Sequence, residues 1–227
     1  MKKNINKFLN KFGFEIKKAQ KQYITTQFDS VNADRFLHFH NLINLTNGVK
    51  GEIVECGVGM GRSLASISLL VKSLRDERSI WGFDSFEGFP EPTEIDLSVD
   101  RKPAKGEYSV SLESVTEYLN ATLNDESFMR SRVTLVKGFF EDTLLKYPHE
   151  NISLLNLDVD IYESYKKCLE TFYPKLSIGG IITFDEFLRE ENRFPGAYKA
   201  IEEYFSNKNV IFNRSPFYGK YYIIKTA

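Results

Sequence analysis

The chain has 227 residues, of which 42% are hydrophobic and 27% charged, the make-up of one soluble α/β domain with a full core rather than of two domains. A formal net charge of −1 excludes a general electrostatic attraction to nucleic acid or to an anionic membrane. Cys56 and Cys168 show no metal-ligand or redox spacing, no run approaches the roughly 20 apolar residues of a membrane span, and lysines interrupt the start where a signal peptide needs an apolar stretch, so a soluble protein of a reducing, cytoplasmic compartment is expected.

Residues 1–22 place Ile5, Phe8, Leu9, Phe12 and Ile16 at helical spacing, opposite Lys2, Lys3, Lys7, Lys11, Lys17, Lys18 and Lys21. This predicts an N-terminal helical arm or cap within 1–34. It either packs on the domain with a solvated lysine face or docks peripherally at the inner face of a membrane. Residues 35–227 read as the main domain. A helix is expected over Asp34–Leu45, then strand Glu52–Cys56, helix Ser63–Arg75, strand Ile80–Asp84 and helix Ser111–Leu123. Strand Val133–Val136 follows, with a short helix from Glu141, strand Ile152–Leu157, helix Ser164–Tyr173, strand Gly180–Phe184 and helix Ala197–Phe205. Asn209–Phe212 and Tyr221–Lys225 are expected to close the chain as an antiparallel pair. This alternation predicts a doubly wound, Rossmann-like α/β sheet, mostly parallel, with helices on both faces. The stretch Glu87–Glu107, rich in Pro, Gly and charge, reads as a mobile loop over the site.

Two acidic marks end apolar strands, Asp158-Val159-Asp160 after Ile152–Leu157 and Asp185-Glu186 after Gly180–Phe184. Ligands of open parallel sheets bind beyond the carboxyl ends of the strands. Carboxylates gathered there repel one another unless a cation or proton neutralises them, which points to a divalent metal beside a bound cofactor. The run Glu55-Cys56-Gly57-Val58-Gly59-Met60-Gly61-Arg62-Ser63 is a glycine-rich strand-to-helix turn, in which Gly57, Gly59 and Ser63 would face a ligand. Arg62 stands where a dinucleotide fingerprint needs its last glycine, and Glu55 would repel phosphate but suit a sulfonium or ammonium. Asp84, with Ser85 and Phe86, ends the second strand where a carboxylate accepts ribose hydroxyls. Adenosine with a cationic tail is S-adenosylmethionine. Phe140 offers an adenine an apolar wall and Glu141 or Asp142 a polar contact; their alternative roles are core aromatic and helix cap.

Taken in order, Val54-Glu55-Cys56-Gly57-Val58, Phe83-Asp84-Ser85-Phe86-Glu87-Gly88-Phe89-Pro90, Lys137-Gly138-Phe139-Phe140-Glu141-Asp142, Leu157-Asp158-Val159-Asp160-Ile161-Tyr162-Glu163-Ser164 and Tyr173-Pro174-Lys175-Leu176 resemble the macrocin O-methyltransferase family over roughly residues 35–225. The resemblance implies a class I methyltransferase fold, S-adenosylmethionine, a magnesium ion held by Asp158, Asp185 and Glu186, and methylation of a sugar hydroxyl. The chain departs from the family pattern at Asp185-Glu186-Phe187, where the family has two consecutive aspartates before an aromatic, and at Gly59-Met60-Gly61-Arg62.

In that chemistry Asp158 is ligand and proton acceptor, while Asp160 is either a competing base or a cap of the following helix. His38, His40 and His149 are acid/base groups by type. A small-molecule or glycan acceptor is the expected partner, with no nucleic acid and with self-association allowed. Competing readings are a catechol-type O-methyltransferase and a non-catalytic S-adenosylmethionine-binding module; a nicotinamide oxidoreductase fits Arg62 and Glu55 worst.

Overall fold

A computed structural model describes residues 29–98, 102–187 and 193–226; the helix expected within 1–22 lies outside them. Helix α1 runs from Ser30 to Leu45, four residues earlier than expected and across the anticipated 34/35 boundary. It starts there because Asp29 accepts the backbone N–H of Asn32, a side-chain cap that hydrophobic spacing does not reveal. Strand β1 (Glu52–Cys56) leads through the glycine turn into α2 (Arg62–Leu74), then β2 (Ile80–Asp84), α3 (Leu112–Leu123) and α4 (Glu126–Arg132). Next come β3 (Val133–Lys137), the single turn α5 (Phe140–Thr143), β4 (Ile152–Leu157), α6 (Tyr162–Phe172), β5 (Leu176–Phe184), α7 (Pro195–Phe205), β6 (Asn213–Arg214) and β7 (Tyr221–Ile224).

The strands form one sheet in the order β3-β2-β1-β4-β5-β7-β6, the first five parallel and β7 antiparallel to both its neighbours. The doubly wound reading therefore holds. Order reverses between β1 and β4, whose register pairs Glu55 with Asn156 and Cys56 with Leu157. Alternate residues of β1 serve two cores. Ile53 faces α1 and α2 through Phe39, Leu42, Leu64 and Ile67, while Val54 and Cys56 face α6 and α7 through Tyr165, Leu169, Phe172 and Ile201. Both layers are buried, each large apolar side chain contributing about 1.5–3 kcal/mol.

One expectation is corrected here. The last strand pair involves Asn213–Arg214, not Asn209–Phe212. Phe212 stacks on Phe187 at 4.4 Å between ring centroids and meets Phe205 at 5.8 Å, so its apolar character fills a core instead of a ladder. The Glu87–Glu107 loop, where described, is fastened. Phe89 N–H donates to Glu107 O (3.0 Å) and Gly106 N–H to Phe89 O (2.9 Å). The buried Asp96 accepts Thr93 N–H and Oγ1 on one oxygen and the Tyr162 N–H on the other, capping α6 from outside the helix.

Candidate functional site

The ends of β1, β4 and β5 continue their ladder for one residue: Gly57 N–H donates to Phe83 O, Asp158 N–H to Cys56 O and Asp185 N–H to Leu157 O. Gly57 sits at φ +87°, and a Cβ there would lie 1.7 Å from the carbonyl oxygen of Asp158, so only glycine allows β1 and β4 to meet at this point. Above them opens a cavity of about 880 Å³. Of the residues expected at a cofactor, Gly57, Gly59, Ser63, Asp84, Ser85, Phe140 and Glu141 line it, and so do Asp158 and Asp160. Glu55, Phe86 and Asp142 do not.

Asp84 accepts Gly59 N–H on Oδ2 (2.8 Å) and Phe86 N–H on Oδ1 (2.7 Å), which binds the glycine turn to the end of β2. Burial raises its pKa, and the hydrogen bonds from Gly59 and Phe86 oppose that rise. Each of its oxygens retains a lone pair for a hydroxyl in the cavity. Phe86 takes a left-handed φ of 55° and points into the α2–α3 core, so its part in the site is its N–H. Glu55 is wholly buried on the α1 side of β1. Its Oε1 accepts Asn156 Nδ2 (2.8 Å), its Oε2 has no partner, and burial pushes it up to about 8.

The carboxylates beyond β4 and β5 divide into two groups. Asp158, Asp160 and Glu186 bring ligand oxygens within 4.8 Å of one another. Asp185 instead faces Lys220, which donates to its Oδ2 (2.9 Å) and to its backbone oxygen (2.7 Å). Two of the three residues that the family resemblance implies are thus together, and Asp160 stands beside them in place of the third. Its backbone, at φ +61°, turns the chain back after Asp158. The cap expected of Asp160 is supplied by Asp96, which accepts the Tyr162 N–H at the start of α6. Burial raises Asp158 well above the carboxylate range, reinforced by Asp185 and Asp160, and Glu186 is raised by burial and the same acids. Tyr165, whose hydroxyl lies 2.9 Å from Leu157 O, also contacts Glu186 Oε2 and orients it. For Lys220, burial alone would lower the pKa, yet Asp185 raises it overall. The only cation among the described residues in contact with these acids is therefore already engaged.

None of the three histidines serves the cleft. His38 is buried with Nε2 3.2 Å from Thr183 Oγ1, and burial lowers it to about 4. His40 meets Asn44 on the surface, and His149 packs on Trp81 and Tyr147. Sequence reasoning missed the first turns of α1, from which Asp29, Asn32 and Arg35 line the cavity. The Asp29-Ser30 cap signal could have placed that helix start, but not its position over the sheet. Tyr108 also lines the cavity; its hydroxyl accepts from Arg193 at 2.9 Å.

Comparison with known proteins identifies the family. The family model for macrocin-O-methyltransferase (TylF) matches residues 8–213. The demethyldecarbamoylnovobiocin O-methyltransferase of Streptomyces niveus is 31% identical over 70% of this chain and 59% of its own length. The 8-demethyl-8-(2,3-dimethoxy-alpha-L-rhamnosyl)-tetracenomycin-C 4'-O-methyltransferase of Streptomyces olivaceus is 33% identical over 63% of this chain and 55% of its own. The chain thus spans a little over half the length of these two relatives. Among solved structures, the calicheamicin methyltransferase CalS11 superposes with a TM-score of 0.74 at 28% identity, covering 83% of this chain and 77% of that one. The O-methyltransferase NovP gives 0.73 at 26%, covering 86% and 80%. The chain belongs to the macrocin-O-methyltransferase (TylF) family.

Proposed function

We propose that this protein transfers a methyl group from S-adenosylmethionine to a sugar hydroxyl, with a divalent cation at Asp158, Asp160 and Glu186. The observation that carries this reading is one cavity joining the Gly57–Gly59 turn and Asp84 to the carboxylates of Asp158 and Asp160. The name of the Streptomyces olivaceus relative, which carries a rhamnosyl group and a 4'-O-methylation, supports the acceptor class.

The residues present fit a hard cation. Three carboxylates converge, each raised or crowded by the others, and the nearby lysine is held by Asp185. When bound, such an ion supplies positive charge that offsets their repulsion and makes a coordinated hydroxyl more acidic. The rest is the work of the chain. Gly57 and Gly59 let a ligand approach the backbone, and Asp84 is placed to accept ribose hydroxyls. Phe140 presents an aromatic wall. Acidic walls favour the sulfonium over neutral competitors, and that charge disappears as transfer proceeds. Asp160 or Asp158 accepts the hydroxyl proton while the oxygen forms its bond to the methyl carbon and the carbon–sulfur bond breaks, leaving a thioether. Burial, which raises Asp158, strengthens it as a base.

Titration calorimetry tests this reading. S-Adenosylmethionine should bind the wild-type protein in the micromolar range typical of enzyme substrates, and Mg²⁺ should bind with uptake dependent on Asp158. Absence of donor binding, or donor binding with no ion uptake, would leave a different ligand or a non-catalytic binding module.

A further inference from the structure

Two guanidinium groups line a cleft whose other charged walls are mainly acidic. Arg62 is exposed on the first turn of α2, whereas Arg35, on α1, is half-buried. Arg35 Nη1 donates to Asn32 Oδ1 (2.6 Å) and Nη2 to the Tyr218 hydroxyl (3.0 Å), and its carbon Cζ lies 5.4 Å from the Tyr218 ring centre. Its Nε–H is buried with no acceptor, and no described carboxylate lies within ion-pair distance. Lys220, 5.2 Å from the same ring, differs in being neutralised by Asp185. A guanidinium so placed retains donors that match a carboxylate. Close by, α2 starts at Gly61 with no side chain accepting its first N–H groups, and Ser63 of that turn lines the same cavity.

We infer that Arg35 holds the carboxylate of the methyl donor's amino-acid tail, with Ser63 and the first turn of α2 as its other contacts; this rests on the reading above that the donor is S-adenosylmethionine. The sheet order fixes the direction of the ligand. Adenosine belongs at β2, where Asp84 stands, and the sulfonium must lie near Asp158 at β4 for transfer to occur. The tail is left with the space between Gly57 and the N-terminal turns of α1 and α2, into which Arg35 reaches.

The test compares S-adenosylmethionine with its decarboxylated form, which keeps the adenosine, sulfonium and amine, by calorimetry on the full chain. Arg35→Met should weaken S-adenosylmethionine about ten- to hundredfold and leave the decarboxylated donor within about twofold, with Arg35→Lys between. Tyr218→Phe, which removes one group orienting the guanidinium and spares the fold, should show a smaller loss of about threefold confined to the intact donor. Thermal melts confirm that each variant is folded. Equal losses for both donors, unchanged affinity for both, or an effect confined to the acceptor KM would each overturn the assignment. A wild-type protein that binds neither donor would instead sink the donor reading itself.

Discussion

Glu55 is an acid placed where water does not reach, bonded through one oxygen to Asn156 and through the other to nothing. Its folded pKa is raised from 4.5 to about 8 by burial, so between those values the folded chain holds a proton that the unfolded chain has lost. The stability this group contributes is full below pH 4.5 and drains away as pH rises to about 8. Glu55→Gln cannot lose that proton. The variant should match the wild type near pH 4 and exceed it by a few kcal/mol at pH 9 in urea unfolding. A difference that stays flat across that window would show that Glu55 is not held protonated. At the carboxylate cluster, the geometry assigns Asp160 a larger share than Asp185. Asp160→Asn should weaken Mg²⁺ binding more than about tenfold, and Asp185→Asn, which mainly releases Lys220, less than about threefold. The reverse order would return the place to Asp185.

Among the elements, the loop after β2 is tied to the helices of the opposite layer through Asp96, which caps α6 at Tyr162 and packs against Gly196, where a Cβ would lie 1.8 Å from its Oδ1. Asp96→Ala should cost about 1–3 kcal/mol in denaturant unfolding and speed proteolysis within Glu87–Glu107; unchanged stability would deny that link. Strands β1, β2, β4 and β5 were legible in the sequence because they are largely buried and rich in apolar residues, and the edge strand β3 because Val133, Leu135 and Val136 are β-formers. Helix α4 was not, because Phe128 and Met129 are too few to set a period, and only Asp125 before Glu126 marked its start. The β6 expectation failed on Phe212, since β-propensity does not distinguish a strand from a core aromatic. The site was half legible. Gly57, Asp84 and Asp158 lie at strand ends, where topology alone places a ligand. Asp160 was marked by the acidic strand end, but its place beside Glu186 depends on a left-handed backbone, and Arg35 depends on how α1 crosses the sheet, a tertiary fact with no local signature.

For the molecule as a whole, the functional surface is the rim where the sheet order reverses. On the function proposed above, a donor half (β1, β2 and the glycine turn) meets an acceptor half at the end of β4, with the first turns of α1 and residues 89–90 and 107–110 forming the walls. No helix among the described residues is long and apolar enough to cross a membrane. The separate halves predict that donor binding and turnover can be uncoupled. The most direct measurement is methyl transfer from labelled S-adenosylmethionine to a panel of nucleotide sugars and glycan fragments, wild type against Asp158→Ala. The account predicts a methylated sugar with the wild type and at least about a thousandfold less with the variant, whose donor affinity stays within a few fold. Equal turnover by Asp158→Ala would contradict it.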